Sequence, residues 1–118
     1  MMKKEELGPW GEEKAKNYLL KKGYVFVDKN IRFKRYEVDI VMEKNNLLVI
    51  VEVKTRNTAE IGEPWKAVTR GKQGQIIKVA DHYVQSNQID KDVRFDIVSI
   101  VHNSFRTNIE HLEGAFTV

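Results

Sequence analysis

The feature that most constrains this chain is the run Leu47-Leu48-Val49-Ile50-Val51. A continuous apolar run of this length reads as a strand covered on both faces. It leads straight into Glu52-Val53-Lys54. Strand side chains alternate, so Glu52 and Lys54 point to one face and Val53 to the other. Upstream, Lys44-Asn45-Asn46 separates the run from a second extended segment, Glu37 to Glu43. A three-residue polar connection with two asparagines predicts an antiparallel hairpin.

The remaining elements follow from local signals. Gly8-Pro9 is expected to open a first helix, since proline suits the first helical turn. Gly23 closes it after Lys21 and Lys22. Residues 1–7 are expected to form a flexible N-terminus. Tyr24 to Phe33 reads as a strand. A second helix is expected from Thr69 to Gln85, where Ile76, Val79, Ala80, Tyr83 and Val84 mark one buried stripe. A strand near Arg94 to Val101 follows, then a short edge strand over Ile109 to Val118. The fold class is α/β, in the order α-β-β-β-α-β. The long return through the second helix allows a parallel neighbour, hence a mixed central sheet flanked by helices. At 118 residues the chain suits a single domain. It has no run of eighteen apolar residues, so no membrane partner is expected. The absence of cysteine excludes disulfides and thiolate chemistry and fits the cytoplasm.

Acids stand where a core should be. Gly8, Gly11, Glu12, Ala15 and Leu19 share one helical stripe, which places Glu12 towards the sheet while the glycines permit close approach. A glutamate near a helix N-terminus is also favoured by the dipole alone. On the hairpin, strict alternation groups Glu37, Asp39 and Val41 against Val38, Ile40 and Met42. If the register sets Asp39 across from Glu52, two carboxylates converge with Lys54 beside them. Sequence leaves that register open, and a buried ion pair is the other use of such residues. Paired carboxylates suit Mg²⁺, a hard cation that takes oxygen ligands and keeps several waters. Asp39, Glu52 and the Val53 carbonyl would be its protein ligands. Glu12 would hold a metal-bound water or a second ion. Lys54 would stabilise charge on a phosphate.

These residues resemble the PD-(D/E)XK superfamily, which includes type II restriction enzymes and Holliday-junction resolvases. More closely, the chain is similar to the YraN-like family of bacterial proteins. The resemblance runs from Gly8 to Phe116. It rests on Gly8-Pro9-Trp10-Gly11-Glu12, Glu37-Val38-Asp39-Ile40-Val41, Ile50-Val51-Glu52-Val53-Lys54-Thr55-Arg56, Lys72, Arg94-Phe95-Asp96-Ile97-Val98 and Ile109-Glu110-His111-Leu112-Glu113-Gly114-Ala115-Phe116. It implies a restriction-endonuclease-like core and metal-dependent phosphodiester hydrolysis with Mg²⁺ or Mn²⁺. Glu12, Asp39, Glu52 and Lys54 become the catalytic residues, with Asp39 and Glu52 as ligands. It also implies nucleic acid as partner, DNA ahead of RNA and branched forms included, and a homodimer. No small-molecule cofactor is expected. Two departures stand out: Val38 replaces the superfamily's proline, and Tyr36 stands where the family usually has glycine. Tyr36 would narrow the path of a nucleic-acid backbone or offer a ring for a base to stack on.

The charge balance is mild, at net +3, but the cations cluster. Lys29, Arg32, Lys34 and Arg35 fall together without an acid. Lys54, Arg56, Lys66, Arg70, Lys72 and Lys78 face only Glu60 and Glu63. Such clusters suit phosphates or are simply solvated. Arg32, Lys34, Arg35, Arg56, Lys72 and Gln73 are the candidate nucleic-acid contacts. Lys72 and Gln73 are set inward at a helix N-terminus, though a lysine there can also snorkel outward. Asp96 is expected to be a structural acceptor. His82, His102 and His111 are expected to be structural or on the surface, and Trp10 and Trp65 core or interface residues. Two further functions fit the same chain: a nucleic-acid-binding module that does not cleave, and an accessory protein whose acids are structural.

Overall fold

The computed structural model describes residues 2–57, 66 and 68–118; Trp65, Glu60 and Glu63 lie outside them. The elements are α1 (Lys4–Lys21), β1 (Val25–Phe33), β2 (Tyr36–Lys44), β3 (Leu47–Arg56), α2 (Arg70–Ser86), β4 (Asp92–His102) and β5 (Thr107–Phe116). The five strands form one sheet in sequential order. All neighbours are antiparallel except β3 and β4, which run parallel from Leu47/Asp92 to Arg56/Val101. The expected mixed sheet flanked by helices is therefore what forms, with β5 as a ten-residue outer strand.

The first helix departs from expectation at its start. It begins at Lys4, not at Gly8-Pro9, and Pro9 lies inside it. Glu6 folds back so that its carboxylate accepts from the Lys3 N–H at 3.2 Å, which supplies an earlier start. Pro9 cannot donate to the preceding turn. Gly8 before it has no Cβ to meet the proline ring, which eases the helical conformation there. The other end is as expected. Gly23, at φ +90°, lets its own N–H reach the Leu20 carbonyl and the Tyr24 N–H reach that of Leu19.

The hairpin is tighter than expected. Lys44 pairs directly with Leu47, so the connection is Asn45-Asn46 alone. Both asparagines have positive φ, 53° and 63°, as a two-residue turn of the twisted kind requires.

The apolar run of β3 is covered on both faces. Leu48 and Ile50 join Ile76, Val79 and Ala80 of α2 and Phe95 and Ile97 of β4. Val49 and Val51 join Ala15 and Leu19 of α1, together with Val98 and Ile100. Gly11 sits so close to β3 that a Cβ there would lie 1.9 Å from Thr55 Oγ1. That contact seats α1 beside the strand end carrying Glu52 and Lys54.

At the centre of β2, strict alternation fails. Val38 packs on the α2 side with Val41, while Ile40 and Met42 pack on the α1 side. Two residues three apart cannot share a face in a regular strand. The break falls at Asp39-Ile40. Opposite it, Asn30 of β1 takes φ 51°.

Candidate functional site

The β2–β3 ladder ends at Ile40/Val51. One step further, the register sets Asp39 opposite Glu52, and there the strands stop pairing. The Val53 N–H is taken instead by Asp39 Oδ2 at 2.8 Å. The backbone break in β2 and the end of the ladder thus turn Asp39 into the gap between the strands. The Val53 carbonyl shares that strand edge with its N–H.

Glu52 is nearly fully buried, at 4% exposure, among the Leu48 and Ile50 side of β3. Its Oε2 lies 3.8 Å from Lys54 Nζ and 3.6 Å from Lys72 Nζ. Its Oε1 is buried without any hydrogen-bond partner. The Asp39 pKa is pushed up to about 7, first by burial and then by the Glu52 charge, while the Val53 N–H and the Lys72 charge act to lower it. A buried Asp39 of raised pKa beside a Glu52 whose Oε1 neither lysine satisfies leaves acceptor capacity unused at this site.

Lys72 resolves the choice its position left open: it reaches inward to Glu52 from the first turn of α2. Thr69 caps that helix, its Oγ1 accepting from the Lys72 N–H at 3.2 Å. Gln73 turns its amide back to the Val68 carbonyl at 3.1 Å, tying down the loop end before α2.

Glu12 lies on the other side of Asp39. It lines a cleft of about 460 Å³ with Asn30, Glu37 and Asp39. Burial raises its pKa, and the Asp39 charge raises it further. The Asn30 amide donates to Glu12 at 3.3 Å and to Glu37 at 3.5 Å. Asn30 and Glu37 were not singled out from sequence as site residues. The available signal was an asparagine, a residue tolerant of positive φ, inside an extended segment. Among the described residues, no group of three or more histidine, aspartate or glutamate side chains is arranged to hold a metal ion.

The outer cations divide. Arg32 pairs with Glu37 at 2.6 Å and is only partly available to a phosphate. Lys34 and Arg35 form the exposed tip of the β1–β2 hairpin. Tyr36 is half-buried against the α2-side core, with the Arg35 guanidinium 5.5 Å from its ring. Arg56 ends β3.

Beyond the cleft, Asp96 is fully buried and accepts from Arg94 at 2.8 Å, His111 Nε2 at 2.7 Å and the Gly114 N–H at 3.0 Å. Lys22 Nζ donates to His111 Nδ1 at 2.7 Å, which leaves the ring proton on Nε2 for Asp96. Asp96 and His111 are therefore structural, as expected. His82 packs on Phe33 and His102 on Trp10 in tilted contacts, with ring centroids 4.5 and 4.3 Å apart. No described helix is long and apolar enough to cross a membrane.

The stretch that builds the cleft is also the stretch that other proteins share. A family model described as "Uncharacterised protein family UPF0102" matches residues 11–100. A "UPF0102 protein" of Christiangramia forsetii is 42% identical over 116 residues, covering 98% of both chains. "UPF0102 protein FP2501" of Flavobacterium psychrophilum is 40% identical over the same length and coverage. A relative from Syntrophomonas wolfei is 42% identical over 112 residues, covering 94% of this chain and 97% of its own. With the family model spanning Glu12 to Lys72 and relatives alike end to end, the chain belongs to the UPF0102 family.

Proposed function

We propose that this chain is a metal-dependent nuclease of the PD-(D/E)XK kind, hydrolysing phosphodiester bonds in nucleic acid. One observation carries the reading: Asp39 and Glu52 converge where the β2–β3 ladder opens, and Glu52 keeps a buried oxygen without a partner. The donor set fits Mg²⁺ or Mn²⁺. Such ions use one or two carboxylates and keep several waters, so Asp39, Glu52 and the Val53 carbonyl suffice. When bound, the ion supplies a Lewis acid for the phosphoryl oxygen and makes water a better nucleophile at neutral pH.

The chain's own residues supply the rest. Lys54 and Lys72 approach Glu52 from a strand and a helix, so neither depends on the other for its placement. Both are preorganised to meet charge that builds on the transferring phosphate. Glu12, held by Asn30 and raised in pKa, can accept or hold a water proton at its carboxylate. Lys34 and Arg35 present charge for the phosphate backbone. Two copies acting together would serve two strands.

The test is Mn²⁺-dependent cleavage of duplex, flap, single-stranded and four-way-junction DNA and of matching RNA, with Glu52→Ala as control. Calorimetric Mn²⁺ titration of wild type and an Asp39→Asn, Glu52→Gln double variant accompanies it. Metal binding and cleavage lost together in the variants support the reading. Nucleic-acid binding that ignores metal and gives no nicking would make the chain a binding module instead.

A further inference from the structure

Phe105 is 92% exposed, against 37% for Phe26, the next most exposed described phenylalanine, tyrosine or tryptophan. It stands on the four-residue turn between His102 and Thr107, the last pair of the β4–β5 ladder. Among the described residues, no ring or cation pairs with it. The turn beneath it is nonetheless firmly built. The Asn103 N–H donates to the Arg106 carbonyl at 3.0 Å. Asn103 Oδ1 accepts from the N–H groups of Phe105 and Arg106 at 2.9 and 3.2 Å. The Asn103 amide donates to the Asn57 carbonyl, just past the end of β3, at 3.0 Å. At the base, His102 bonds Thr107 at 2.6 Å and packs, tilted, against Trp10 of α1. A ring held out on a braced turn is placed for contact.

The surroundings say with what. Asn103–Thr107 contains no acid and carries Arg106; the adjoining strand end carries Lys54 and Arg56. An apolar pocket on a protein would ask for an apolar rim around the ring, which this turn lacks. A nucleobase asks for one π-face and a cation for the flanking phosphate.

We infer that the β4–β5 turn is a second nucleic-acid contact, in which Phe105 stacks on an unpaired base and Arg106 meets the adjacent phosphate. The inference deepens the nuclease reading and rests on it for the choice of polymer. It adds a substrate class: strands with unstacked bases, such as flaps, junction branches and single strands. The brace to Asn57, one residue past the end of β3, holds the turn at the end of the sheet that carries Lys54 and Arg56.

The experiment uses the whole chain in EDTA, so binding is read without cleavage. Fluorescence anisotropy with flap and fully paired duplex DNA compares wild type, Phe105→Ala, Phe105→Trp and Arg106→Ala. Loss of one stacked base weakens binding by about 5- to 150-fold. Phe105→Ala should weaken flap binding by that factor and duplex binding little, while Phe105→Trp retains it. Arg106→Ala should lower the salt dependence of both. A 2-aminopurine in the flap should be quenched by wild type and not by Phe105→Ala. Equal flap binding by wild type and Phe105→Ala overturns the inference and leaves Mn²⁺-dependent cleavage as a separate result. Flap-selective binding by a wild type that never cleaves supports the inference and removes the nuclease reading. A wild type that binds neither DNA overturns the inference, and Mn²⁺-dependent cleavage then decides the nuclease reading by itself.

Discussion

Gly11→Ala tests the seating of α1, and with it the placement of Glu12. In a helix interior, alanine normally gains about 1 kcal/mol over glycine. At Gly11 the new Cβ would lie 1.9 Å from Thr55 Oγ1, 3.0 Å from Thr55 Cβ and 3.2 Å from Thr55 Cγ2. Rotating Thr55 removes the first clash but not the second, because Cβ does not move with χ1. The helix must therefore shift outward, and overpacking of this kind costs about 1–3 kcal/mol. The expected net is a loss of up to about 2 kcal/mol, the overpacking offsetting and then exceeding the propensity gain. Gly74→Ala in α2 is the internal control: nothing lies within 4 Å of its Cβ, so stability should rise by about 0.5–1 kcal/mol. Urea unfolding followed by circular dichroism reads both as shifts in midpoint at unchanged slope. Thr55→Ala in the Gly11→Ala background should recover part of the loss, since the two sites are in contact. If Gly11→Ala raises the midpoint as Gly74→Ala does, α1 does not sit on β3 as described, and the approach of Glu12 to Asp39 falls with it.

Further outcomes follow from the buried acids and the cations. Burial alone would raise Asp96, but bonds from His111, Arg94 and Gly114 together hold it below the usual carboxylate range. Its stabilisation is present above the unfolded pKa of about 3.9 and is lost as pH falls through the lower folded value. Asp96→Asn should cost about 3 kcal/mol at pH 7 by stranding Arg94 and His111, and the gap to wild type should close on acidification; a gap that does not change with pH refutes this. Lys54→Met should slow single-turnover cleavage by roughly a hundredfold with substrate binding nearly intact, and Lys54→Met with Lys72→Met should slow it more, since both cations flank Glu52. Wild-type rates in both would reduce the lysines to structural partners. Replacing Lys34 and Arg35 with alanine should lower the slope of log affinity against log salt by about 2, whereas Arg32→Ala should change it less because Glu37 already holds that guanidinium.

What the sequence determined by itself is local or periodic. Leu47 to Val51 announced a strand buried on both faces, and Ile76, Val79 and Ala80 announced the buried stripe of α2. Gly23 and Asn45-Asn46 marked a helix end and a turn, because positive φ is affordable for few residues. Glu12, Asp39, Glu52 and Lys54 were visible as charges in apolar places. Other features needed the whole fold. Glu6 reaching the Lys3 N–H moved the start of α1, a choice that depends on side-chain geometry and not on proline preference. The break in alternation at Asp39-Ile40 is set by contacts on two faces and by Asn30 on the neighbouring strand; a period-two reading cannot see it. The register that brings Asp39 to Glu52, the inward reach of Lys72 and the pairing of Arg32 with Glu37 all join residues distant in the chain or on separate strands. Sequence states which charges exist. Only tertiary packing decides which of them lose water, which find partners, and that Glu52 keeps one oxygen with none.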